Sequence, residues 1–198
     1  MASEADGRPR DDLPVIAPRS AAEWRLWLEA EHDSALGAWL KLARKGTAGF
    51  SLDYAGAVDV ALCYGWIDGQ KAPLDGSSWL QRFTPRGPRS RWSQVNRDRV
   101  AALEAAGLMR PSGQAAVEAA RQDGRWEAAY APQRAATVPD DLRAALDVNP
   151  VAAEFFATLR GANRYAVLYR IASVKRPETR ARKITQYVEM LAQQRTLH

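Results

Sequence analysis

The sequence predicts an α+β fold: a small, mostly antiparallel sheet flanked by helices, followed by a C-terminal helical segment. Three observations carry this. Helical spacing alternates with short β-rich runs as far as residue 84. Pro73 and Asp75-Gly76 supply turn chemistry between two of those runs. Beyond residue 139 the pattern is helical only.

The first 18 residues are polar and read as a disordered tail ending near Pro18. A core domain is expected over 19–130, and helices packed on it or linked to it over 139–198. Ser20 and Glu23 form a capping box, in which hydroxyl and carboxylate each satisfy an end amide. Trp24, Trp27, Leu28 and Glu31 then follow at helical spacing, to about His32. Ala38 to Arg44 reads as a strand, followed by a Gly-rich turn. A second helix is expected from Asp53 to Tyr64, with Tyr54, Val58, Ala61 and Leu62 as its buried stripe. Two strands follow, Trp66 to Lys71 and Ser78 to Thr84. Two prolines and a glycine keep 85–92 irregular. Ser93 then caps a helix that ends at Gly107, and a short helix runs from Ser112 to Gln122. Residues 127–138 form a linker. The last helices cover 139–147, 150–173 with a break near Gly161, and 177–194, where Pro177 occupies the first helical position. In the last of these, Ile184, Tyr187, Val188 and Leu191 mark one buried face.

Composition bounds the function. With 46% apolar residues, a sizeable core is within reach. No stretch approaches the roughly 20 apolar residues of a membrane helix, and the N-terminus is not a targeting peptide. Cys63 is the single cysteine, so a reducing compartment and a cytoplasmic location are expected. Its place in the apolar run VALCYGW marks it as a small buried hydrophobe. Arginine and lysine total 28 against 23 acids, and only 5 of the 28 are lysine. The local distribution of that charge says more than the net +5.

Four stretches stand out: 61–69 (ALCYGWIDG), 81–86 (QRFTPR), 88–96 (PRSRWSQVN), and Asp123-Gly124-Arg125-Trp126 before Ala129-Tyr130. With the C-terminal KRPETR (175–180) and Ile184, the chain resembles the YdeI/OmpD-associated, bacteriocin-protection family over about residues 20 to 195. The resemblance implies a protein tied to survival of bacteriocins or cationic antimicrobial peptides. An envelope or porin link comes from the family name alone, and no catalytic mechanism is implied.

The polar-aromatic segment 79–99 holds Arg82, Arg86, Arg89, Arg91, Arg97 and Arg99 against one acid, Asp98. Guanidinium groups on a loop feeding a helix start can trap an anion. Two other readings stay open: arginines paired with Asp68, Asp75 and Asp98, and contact with nucleic-acid phosphates. Trp66 and Asp68 share a face of their strand. Asp68 is either a general base beside tryptophan or, preferably, the salt-bridge partner of Arg82. The expected ligand site is Trp66, Asp68, Arg82, Arg86, Arg89, Ser90, Trp92 and Asn96 on one concave surface. Its partner would be an anionic small molecule or an acidic protein surface.

With His32 and His198 the only histidines and no phosphate-binding or metal-ligating motif, no catalytic residue, metal or cofactor is expected. A non-catalytic binding protein is favoured over an enzyme using Asp68 with the three arginines. The basic stretch Arg170 to Lys183 invites a helix-turn-helix reading, but it offers few base-reading amides. Nucleic acid is therefore not the expected partner.

Overall fold

The computed structural model describes residues 13–44, 47, 51–174 and 176–197. The sequence expectations for residues 1–12, most of the Gly-rich turn, Lys175 and His198 lie outside them. The chain divides into two compact units, one of residues up to 92 with 96–129, the other of 93–95 with 130–198.

The first unit is built on a four-stranded sheet. Its strands are β1 (Val15–Ile16), β2 (Ala38–Ala43), β3 (Trp66–Pro73) and β4 (Ser78–Pro85), in the order β1-β2-β4-β3. Only the β1–β2 pair is parallel. The predicted tail therefore gives way before Pro18: Val15 and Ile16, both β-branched, add a short edge strand opposite Trp39 and Leu40. Pro14 contributes too, its carbonyl accepting from the Trp39 amide at 2.9 Å.

Helix α1 (Ala21–Glu31) starts as the capping box requires. The Ser20 hydroxyl accepts from the Glu23 amide at 3.2 Å, and the Glu23 carboxylate accepts from the Arg19 amide at 2.8 Å. Helix α2 (Tyr54–Cys63) is capped by Asp53 and buried along most of its length. Tyr54 departs from the expected stripe: it is exposed at the first turn, and its hydroxyl reaches the sheet. Trp24, Leu28, Leu40, Leu62, Trp66 and Phe83 lie at the centre of the core. Trp24 meets Phe83 at 5.7 Å and Trp66 at 6.3 Å between ring centroids, and its indole nitrogen donates to the Ala57 carbonyl.

Helices α3 (Gln94–Ala105) and α4 (Pro111–Gln122) follow. Helix α4 docks on the end of α2 through two glycines. A Cβ at Gly113 would lie 2.2 Å from the Cys63 carbonyl oxygen, and one at Gly65 would lie 2.9 Å from the Ser112 carbonyl. Gly65 also has φ +74°, a conformation that L side chains seldom adopt.

The second unit is helical. A single 3-10 turn, Gln133–Ala135, lies in the predicted linker. It precedes α5 (Asp140–Asp147), α6 (Pro150–Thr158), α7 (Gly161–Ala172) and α8 (Pro177–Ala192). The expected break falls between Thr158 and Gly161, and Gly161 has φ +55°. Ile184, Tyr187, Val188 and Leu191 are the buried residues of α8, as the spacing predicts. They close on Leu142, Phe156, Val167 and Ile171.

Candidate functional site

The eight expected site residues separate into distinct environments, and strand parity explains much of it. Asp68 stands opposite Phe83, whereas Arg82 stands opposite Trp39. Successive residues of a strand point to opposite faces, so Asp68 and Arg82 are on different sides of the sheet. The expected Asp68–Arg82 salt bridge is thus replaced. The Asp68 carboxylate accepts from the Tyr54 hydroxyl at 2.6 Å, and Arg82 Nη1 donates to Gln70 Oε1 at 3.3 Å. A register shift between Asp68 and Lys71 lies beside that contact. Trp66 is in the core, with its indole nitrogen donating to the His32 carbonyl at 3.3 Å. An enzyme site joining Asp68 to arginines 82, 86 and 89 does not follow from this geometry.

Arg86 and Trp92 meet in a tightly held loop that also carries Arg89 and Ser90. The Arg86 amide donates to the Gly65 carbonyl at 2.9 Å, which fixes the loop to the strand end. At the apex the Ser90 amide donates to the Gly87 carbonyl, and the Gly87 amide donates back to the Ser90 hydroxyl, both at 3.0 Å. The Arg86 guanidinium carbon lies 3.5 Å above the Trp92 ring, and its Nη1 donates to the Arg91 carbonyl. Trp92 packs edge-on against Trp126 at 4.9 Å. The Trp126 ring is in turn faced by Arg97 at 5.1 Å and Arg121 at 5.0 Å. Arg125 closes the arrangement, donating to the Ser90 carbonyl at 3.0 Å while paired with Asp123 at 2.7 Å. The Trp92 indole N–H and the Arg97 Nε–H are buried without an acceptor among the described residues. Ring faces against guanidinium planes therefore supply much of the cohesion.

The result is a rigid basic lip. Arg89 sits exposed at its apex and makes no hydrogen bond or ion pair with a described residue. No residue of 85–92 is acidic. Asn96 is half-buried on the first turn of α3. Arg97, Arg121, Arg125 and Trp126 were absent from the expected set. The Asp123–Trp126 stretch was noted in the sequence, but nothing local tied it to a loop some 35 residues earlier.

A second polar cluster had no sequence signal at all. Tyr64 donates to the Glu29 carboxylate, and Arg110 Nη2 lies 3.3 Å from the same oxygen. Burial, and next the bond to Glu29, holds the Tyr64 phenol above its ordinary value. The Tyr64 bond in turn draws the Glu29 carboxyl below its own. Cys63 is fully buried, and burial pushes its thiol up. Among the described residues no three His, Cys, Asp or Glu side chains are grouped to hold a metal ion.

In the second unit the basic stretch is partly consumed by internal contacts. Arg180 forms a bidentate pair with Asp141 at 2.5 and 3.0 Å and donates to the Ile171 carbonyl at 2.8 Å. It is a tie between helices, not part of an open basic face. No described helix is long and apolar enough to cross a membrane.

Fold and site together define an α+β protein with a mixed four-stranded sheet, an arginine–tryptophan loop and a separate unit of four helices. Residues 16–116, just over half the chain, match the model of a domain of unknown function (DUF8412), and the chain belongs to that family. Residues 135–194 match the family described as bacteriocin-protection, YdeI or OmpD-associated, so the helical unit carries that domain. Of the stretches behind the sequence resemblance, KRPETR and Ile184 fall in this second match, whereas 61–69, 81–86 and 88–96 fall in the first. No curated protein and no solved structure matches the chain significantly.

Proposed function

We propose that the protein is a non-catalytic binding protein that meets an acidic partner through the loop at 85–92 and acts in protection against bacteriocins or antimicrobial peptides. The protective role rests on the description of the family matched at 135–194. The binding mode rests on one observation, the exposed Arg89 at the apex of a loop stiffened by the Arg86–Trp92 stack at 3.5 Å. With the loop backbone already held, only the Arg89 side chain has to be ordered on pairing with a carboxylate. The sign of the charge also constrains how protection works. A basic lip repels cationic peptides, so the loop engages an acidic protein surface or an anionic small molecule and does not sequester the peptide itself. The expected location is the cytoplasm.

The test is binding of fluorescein-labelled poly-glutamate to the full chain, followed by anisotropy. Arg89→Glu should weaken it, and raising salt from about 0.05 to about 0.3 M should weaken the wild-type complex too. The same variant, expressed in a bacterium lacking its own copy, should fail to restore survival of a cationic peptide where the wild type succeeds. Poly-glutamate binding indifferent to Arg89→Glu would refute the binding mode. Survival restored equally by both chains would separate the loop from protection.

A further inference from the structure

The second unit holds a cleft of about 550 Å³ beside α7, lined in part by residues of the 3-10 turn at 133–135. That volume is in the range of small-molecule sites, roughly 300–1,000 Å³. Ala136, Leu168 and Tyr165 supply apolar lining. The Tyr165 hydroxyl donates to the Ala131 carbonyl at 3.1 Å, and its ring lies 5.7 Å from that of Tyr169, so the ring is held in place. Two arginines line the same space, and no carboxylate does.

The arginines differ in kind. Arg164 is anchored: its guanidinium carbon lies 4.4 Å over the Phe156 ring and its Nη1 donates to the Phe156 carbonyl at 3.3 Å. That contact occupies one N–H of a group with five. Arg134 is exposed and makes no hydrogen bond or ion pair with a described residue. The start of α7 adds to the same field. Gly161 lines the cleft, and Arg160, at the cap position, makes no side-chain capping bond.

We propose that this cleft binds a small organic anion, with its phosphate or carboxylate head between Arg134 and Arg164 and its apolar body on Ala136, Leu168 and Tyr165. The two parts of the lining demand both halves of that ligand. A bare inorganic ion would leave the apolar lining wet, and a neutral apolar molecule would leave two guanidinium groups facing hydrocarbon. This site is separate from the arginine loop and stands or falls independently of it.

Phenyl phosphate titrated into the full chain, followed by calorimetry and amide chemical shifts, tests the assignment. Arg134→Ser should weaken binding about tenfold, the factor that one lost charge-assisted hydrogen bond of ordinary strength carries. Arg134→Lys should recover most of it, since a cation at that position suffices. Inorganic phosphate should bind more weakly than phenyl phosphate, and Arg89→Ser should leave the phenyl phosphate shifts of residues 133–136 and 161–168 as in the wild type. Shifts centred on residues 133–136 and 161–168 are the expected footprint. The proposal is overturned if about 10 mM phenyl phosphate, ample for a ligand of this size, moves none of those amides. Equal binding by Arg134→Ser overturns it as well, and so does equal binding of inorganic phosphate. Loss of binding in Arg89→Ser alone would move the ligand to the loop.

Discussion

The Asp141–Arg180 pair offers the sharpest test of how the helical unit is held together. Asp141 is in the first turn of α5, where its charge favours the helix start, and its Oδ1 accepts from the Leu142 amide at 2.9 Å. Arg180 belongs to α8 and also holds the Ile171 carbonyl of α7. The side chains are 24% exposed for Arg180 and 45% for Asp141. Solvent therefore screens the pair, and the bidentate contact is placed near the top of the range for exposed pairs, at about 1 kcal/mol. Loss of the acid at the helix start adds about 0.5 kcal/mol. Partial stranding of the guanidinium, which Ile171 still holds, adds roughly as much again. Asp141→Ala should thus cost about 2 kcal/mol, and Asp141→Asn about half of that because it keeps an oxygen for the Leu142 amide.

Urea unfolding followed by far-UV circular dichroism reads the loss. All seven tryptophans lie between residues 24 and 126, so their emission checks that the first unit of each variant is still folded. Arg180 draws the Asp141 carboxyl below its ordinary 3.8. Its contribution is therefore complete above that value and disappears as pH falls through the lowered one. The gap between wild type and Asp141→Asn should be full at about pH 7 and should narrow progressively as pH falls below 3.8. A gap under about 0.5 kcal/mol at neutral pH, or one that persists unchanged in acid, would refute the reasoning.

Three further outcomes follow from the first unit. Gly113→Ala should destabilise by about 3 kcal/mol or more, because the new methyl meets the backbone oxygen of Cys63 and α4 must lift away; melting within a degree or two of wild type would show the contact to be slack. Cys63 should not react with Ellman's reagent in the native chain and should react fully in urea, since the thiol is buried and its ionisation suppressed. Tyr64 should ionise above the ordinary tyrosine value of 10 in an alkaline absorbance titration, and the stability this carries is present below 10 and lost as pH climbs through the raised value. Tyr64→Phe should accordingly flatten the alkaline limb of the stability profile, and an unchanged limb would contradict the burial argument.

What could be read from sequence was what short range decides. The cap at Ser20, the break at Gly161 and the buried face of α8 each depend on residues within about four positions of one another. The irregular path after Pro85 was legible from its prolines and Gly87, whereas the Arg86–Trp92 stack had no signal in the sequence. The Asp68–Arg82 pairing failed because facing depends on register. Opposite Asp68 stands Phe83, one residue along from Arg82, and a single-residue offset changes the face of every side chain. Glu29, Tyr64 and Arg110 meet only after α1, α2 and the turn before α4 have packed, so no local pattern announces them.

Arginine content shows the limit most clearly. The sequence counts these charges but does not say which are tied internally. Arg99 is tied to Asp59, Arg125 to Asp123, Arg180 to Asp141, and Arg97 to the Trp126 carbonyl. Each of these holds elements together, and charge reversal at any of them would disturb the fold along with any ligand. Arg89 and Arg134 are exposed and have no partner among the described residues. Substituting them changes charge at a surface and little else. That is why a loss of binding at either one can be read as loss of a contact with the ligand, and why the basic composition becomes informative only after the internally tied arginines are set aside.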